Sequence, residues 1–96
     1  MPRVSLTLAA RNDILSAMSW YQANAAEVVP QLTNALDTAL KRIAENPKQF
    51  QVSAFSTRRA LLRKFPYSVI FRETAHEVVV VAVYHMSRNP KALRRR

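Results

Sequence analysis

The sequence predicts an α+β fold in one domain: an N-terminal strand, a two-helix hairpin, then a three-stranded antiparallel meander, the strands forming one small sheet packed on the helices. Three observations predict it. The apolar period is two at the start of the chain, becomes three to four in the first half, and returns to two in the second. Ninety-six residues, nearly half of them apolar, fill one core and leave no material for another, so residues 1–96 are read as a single domain. Residues 78–83, Val-Val-Val-Val-Ala-Val, form a run of a length and β-branched character that suits a strand covered on both faces.

The elements follow in order. Arg3-Val4-Ser5-Leu6-Thr7-Leu8 alternates polar and apolar residues, which predicts a strand with Val4, Leu6 and Leu8 on one face. From Ala10 the stripe Ala10, Ile14, Ala17 or Met18, Tyr21 and Ala25 predicts a first helix over residues 10–23. Asn24-Ala25-Ala26-Glu27 has the spacing of a capping box for the second helix. Pro30 then requires that this helix either start close to it or bend there. Leu32, Leu36, Leu40 with Ala39, and Ile43 give a continuous apolar stripe, with Gln31, Asn34, Asp37, Lys41 and Arg42 facing away. Asn46-Pro47 ends the helix, asparagine tolerating a left-handed cap and proline refusing another helical turn. Residues 48–54 read as a loop, and residues 57–64, 67–72 and 77–85 as strands, the last two joined across Glu73-Thr74-Ala75-His76. The valine run places the last strand in the middle of the sheet.

Composition excludes several chemistries. There is no cysteine, so disulfides and thiolate metal sites are out, and two histidines, His76 and His85, are too few for a metal cage. There is no glycine, which rules out phosphate-cradling and dinucleotide-binding loops that need a bare backbone. No cofactor and no metal are expected. The first eight residues lack the pattern of a secretory signal, and the longest apolar run, residues 78–84, is far shorter than a membrane span, so a soluble, cytoplasmic protein with no membrane partner is expected.

Charge is concentrated in the second half. Residues 1–48 hold five Lys/Arg against four Asp/Glu, and residues 49–96 hold ten against two, ending in a basic tail at 88–96. A positive field of this kind favours a nucleic acid, an acidic protein segment or an anionic membrane surface, against the plainer reading of a solvated basic face.

Residues then sharpen the pattern into a resemblance. Arg59 and Arg63 lead into Phe65-Pro66-Tyr67, and the last strand ends Ala82-Val83-Tyr84-His85-Met86-Ser87-Arg88-Asn89-Pro90. Ala10-Arg11-Asn12-Asp13-Ile14-Leu15 heads the first helix, and Tyr21 lies further along it. In order and spacing these segments resemble the RelE/ParE toxin superfamily, above all its ParE-like branch, over nearly the whole chain. The chain departs from the pattern in having Asn89 where an aspartate is common and Leu93 where many relatives have tryptophan.

The resemblance implies the toxin of a bacterial type II toxin-antitoxin system, held in a hetero-oligomer by a cognate antitoxin with an acidic C-terminal segment. Two activities share that fold, so the fold does not choose between them. ParE-like members poison DNA gyrase by binding, which would assign Arg88, Lys91, Arg94, Arg95 and Arg96 to target engagement. RelE-like members are ribosome-dependent mRNA endoribonucleases, which would make His85 an acid or base and Arg58, Arg59, Arg63 or Arg88 the cationic stabilisers. The bland alternative for His85 is a structural histidine where the last strand leaves the sheet. Glu73 and Glu77, the carboxylates of the second half, are expected at the far end of the last hairpin from it. A groove between the helices and the sheet, with Trp20, Tyr21, Val28 and Val29 and the nearby Arg59 and Arg63, is the expected antitoxin surface. A basic nucleic-acid-binding module without toxicity is the third reading; its affinity would fall steeply with salt.

Overall fold

The computed structural model describes residues 3–86. The elements are β1 (Arg3–Leu6), α1 (Leu8–Asn24), α2 (Val29–Glu45), β2 (Gln51–Val52), β3 (Arg58–Leu61), β4 (Tyr67–Glu73) and β5 (Glu77–His85). They form the expected α+β architecture, with one sheet in the order β1-β5-β4-β3-β2. β1 runs parallel to β5, and the β3-β4-β5 meander is antiparallel throughout, as is the β2-β3 pair. The last strand is interior, between β1 and β4, while β4 occupies the centre of the five.

Local chemistry sets the helix ends, in places differently from the sequence expectation. Thr7 caps α1, its Oγ1 accepting the Ala10 N–H at 3.1 Å, so the helix begins at Leu8 and takes that residue out of the first strand. The Asn24–Glu27 capping box does not form. Asn24 closes α1 instead, its Nδ2 donating to the Trp20 carbonyl at 2.8 Å, and residues 26–28 make a single 3-10 turn. The second helix starts at Val29 with Pro30 in its first turn, where a missing N–H leaves no helical bond unmade. Asn46 ends α2 at φ −155°, outside the left-handed region, its N–H bonded to the Arg42 carbonyl.

The helices cover one face of the sheet. Leu32, Leu36 and Ile43 of α2 and Ala10 and Ala17 of α1 pack against Val69, Phe71, Val78, Val80 and Val83. Ile70, Val81 and Ala82 are buried on the opposite face. That two-sided burial explains the valine run, but the strand also changes phase inside it. Phe71 pairs with Val80 and Ile70 with Ala82, so β5 carries one residue more than β4 at this point, a β-bulge. Val78 and Val80 precede the bulge on the helix side, and Val83 returns to that side after it. His85, two residues further along, stacks edge-to-face on Tyr67, another residue of that core, at 5.4 Å.

β1 ends at Leu6, and beyond it α1 seals the edge of β5. The Thr7 N–H donates to the Val80 carbonyl at 3.0 Å, and Asp13 Oδ2 accepts the Val83 N–H at 2.9 Å. The aspartate near the head of the first helix thus performs a structural task, satisfying a strand donor that β1 is too short to reach.

Candidate partner-binding surface

A groove of about 270 Å³ runs between α2 and the connection from β3 to β4. On α2 the residues Gln31, Asn34, Ala35, Thr38 and Arg42 recur at helical spacing and form one wall. The other wall is Leu61, Arg63, Lys64 and Phe65. Leu61 is half exposed to solvent at the end of β3, one residue pair beyond the last β2 pairing. Arg42 lies over the Phe50 ring, 5.4 Å from its centroid, and Phe50 in turn packs edge-to-face on Phe71, so the core fixes this guanidinium in place. Lys64 holds φ at 67°, a left-handed conformation that costs a non-glycine residue roughly 1–2 kcal/mol.

The groove is therefore cationic with an apolar floor. Arg42, Arg63 and Lys64 line it, none is in an ion pair with a described residue, and no acidic residue is among its described lining. Such a surface suits an amphipathic chain that carries carboxylates. Replacing Lys64 by glycine should relieve the backbone and stabilise the domain by about 1 kcal/mol while removing one cation from the groove. Urea denaturation reads this; a loss of stability would mean that the side chain itself holds the connection.

The sequence-predicted antitoxin residues are not gathered on one surface. Arg63 lies in the groove. Arg59 pairs with Ile70, whose side chain points away from the helices, and reaches Gln51 Oε1 at 3.5 Å. Trp20 is 56% exposed on the outer side of α1, edge-to-face with Tyr21 and beside Leu15. Tyr21, one helical position on and so about 100° around the axis, points inward instead, against Phe65 at 5.6 Å and Tyr67 at 6.4 Å. Val28 and Val29 are half buried at the junction of the helices.

The alternative catalytic set is divided too. Arg58 Nε donates to Glu73 Oε1 at 2.9 Å and Nη1 to the Phe50 carbonyl at 2.8 Å, which ties the loop before β2 to the sheet. Glu73 pairs with Val78 and Glu77 opens β5, at the end of the hairpin opposite to the Tyr67–His85 pair, as expected from sequence. The carboxylate that meets the His85 half of β5 comes from α1: it is Asp13, bonded to the Val83 N–H. Arg88, Lys91, Arg94, Arg95 and Arg96 lie outside the described residues.

A family model described as the ParE toxin of the type II toxin-antitoxin system, parDE, matches residues 4–90. The chain belongs to the ParE toxin family. Toxin ParE2 of Mycobacterium tuberculosis, from the CDC 1551 / Oshkosh strain and again from H37Rv, is 32% identical over 83 residues, 85% of this chain and 79% of that protein. A chain from the chromosomal ParDE TA system from P. aeruginosa superposes with a TM-score of 0.80 over 91% of this chain and 98% of its own, at 18% identity. That likeness shows a shared fold. Within the ParE match lie both the groove and the Asp13 bond that closes the β5 edge. The sequence pointed to Arg63 but left Arg42 among the outward-facing residues of α2 and passed over Lys64 and Leu61.

Proposed function

We propose that this ParE-family toxin arrests bacterial growth by binding DNA gyrase in the cytoplasm, without hydrolytic chemistry of its own, and that a cognate antitoxin with an acidic segment neutralises it in a hetero-oligomer. Membership of the ParE family supports the target. The observation that carries the binding reading over the ribosome-dependent endoribonuclease is the separation, among the described residues, of the groups that cleavage would use. Arg58 is paired with Glu73 at the opposite end of the hairpin from His85, Asp13 accepts a strand N–H, and Arg63 stands in the groove, so the described candidates do not converge on one place. Cleaving RNA asks for an acid, a base and cations converging on one phosphate. The cations of the groove, by contrast, face solvent between two walls, as a protein-binding surface requires.

The test is to induce the protein in bacteria lacking the antitoxin and, during growth arrest, to follow chromosomal DNA and translated messages together. Chromosome breaks and a damage response with intact messages are expected. Codon-position cuts in messages with intact DNA would move the function to the ribosome and make His85 a catalytic candidate.

A further inference from the structure

α1 turns an uncharged face to solvent, on the side away from the sheet. At about 100° per residue, Asn12, Leu15, Ser16, Ser19 and Ala23 share that face, and Trp20 flanks it. Leu15 and Trp20 are each more than half exposed, an unusual placement for two large apolar side chains on one helix. The face is built symmetrically about the midpoint between Ala17 and Met18. On one flank Trp20 follows that midpoint and Ser16 precedes it; on the other Leu15 precedes it and Ser19 follows. Asn12 and Ala23 lie near the centre line, equally far from the midpoint on either side. Reversing the helix therefore sets each large residue against a small one. A twofold contact has this property, since residue i meets j and j meets i. The charges follow the same rule. Arg11 closes the first turn of α1, beside the positive end of the helix, and the last turn has no basic residue.

We propose that a second copy of this chain docks on this face, the two α1 helices packing antiparallel about a twofold axis at the midpoint between Ala17 and Met18. Trp20 of each copy lies over Ser16 of the other, and Leu15 over Ser19, the serines letting the helix axes approach closely. Arg11 of each copy comes level with the negative end of the other α1, which lacks a cation of its own. Charge selects this occupant. The chain as a whole carries +9, but residues 8–24 hold one cation and one carboxylate, so the copies meet where their net charge is zero. An acidic segment finds only Arg11 here and is drawn to the groove instead. That groove borders β3, two strands across the sheet from the β5 edge that α1 seals, so pairing leaves both grooves open. One helix per copy, about 25 Å long, buries less than the roughly 1,200–2,000 Å² of a standard interface, which places the dimer in the weak class. None of this depends on the toxin reading.

Trp20 is the chain's one tryptophan, so its fluorescence reports the contact directly. Sedimentation of the full chain between about 10 μM and 1 mM, the range of weak interfaces, should show a monomer–dimer equilibrium. Trp20 emission should move to shorter wavelength as the dimer fills. Ser16→Glu and Ser19→Lys alter exposed positions and each bring two like charges together beside the twofold axis. Each variant should self-associate about tenfold more weakly than the unaltered chain, with an unchanged circular dichroism spectrum. Mixed in equal amounts, the two should pair about tenfold more tightly than either does alone, because the mixed dimer sets one carboxylate against one ammonium. A chain that stays monomeric at the highest concentration, a dimer that both variants leave intact, or a mixture that pairs no better than its components would overturn the proposal. So would a monomer whose Trp20 emission shifts only when the antitoxin is added, which would give the face to that protein.

Discussion

Replacing Phe71 by alanine should cost about 3–5 kcal/mol, the usual range for emptying a buried phenylalanine site. Phe71 is fully buried in the middle strand, beneath both helices. A domain of this size has about 5–15 kcal/mol in total, so a third of its stability or more would go, and urea denaturation would show the midpoint falling with little change in slope. The effect should also reach the groove. Phe50 packs edge-to-face on Phe71 at 5.7 Å and carries Arg42 above its own ring, so the cavity loosens the support of that guanidinium. Phe71→Leu keeps most of the volume and should cost about 1.5 kcal/mol or less. If Phe71→Ala destabilised no more than Phe71→Leu, Phe71 would not be the keystone of this packing.

Asp13→Ala is expected to cost about 2–3 kcal/mol. The charged acceptor bonding the Val83 N–H at 2.9 Å would be lost, and the strand donor would be left partly buried with no acceptor. Asp13→Asn retains an oxygen and should lose about half as much, because the charge-assisted part of the bond is what disappears. Hydrogen exchange supplies the local readout. The Val83 amide should become the fastest-exchanging site of the interior β5 residues in Asp13→Ala, and unchanged protection there would show that α1 does not seal this edge.

Much of the fold was legible in the sequence where a single physical demand acted on a segment. α2 has one buried stripe and one wet face, so Leu32, Leu36, Ala39 and Ile43 announced it. α1 is harder to read, because Leu8 and Leu15 stand exposed on the side opposite Ala10 and Ala17, and Trp20 is exposed on its flank. The polar–apolar alternation of the first strand ran on to Leu8 because periodicity does not register that Thr7 is a better helix cap than a strand residue. β2 has two residues, too few for any alternation to show. The site was less legible still. Arg63 was visible as part of a motif, but Arg42 becomes part of the groove through its seat on Phe50, and Leu61 through its place at the end of β3. Those are facts about ends and neighbours, which a periodic pattern does not record.

The bulge in β5 bears on how far this chain can vary in length. Residues 78–81 are all valine, so removing any one of them gives the same shortened chain. In that chain the ladder runs without interruption: Ala82 still meets Ile70, the valine before it still meets Phe71, and each side chain from Glu77 to His85 keeps the face it has now. In most strands a missing residue turns the inside out. Here the surplus valine acts as slack in the line, and a family member one residue shorter at this point can share the same interior.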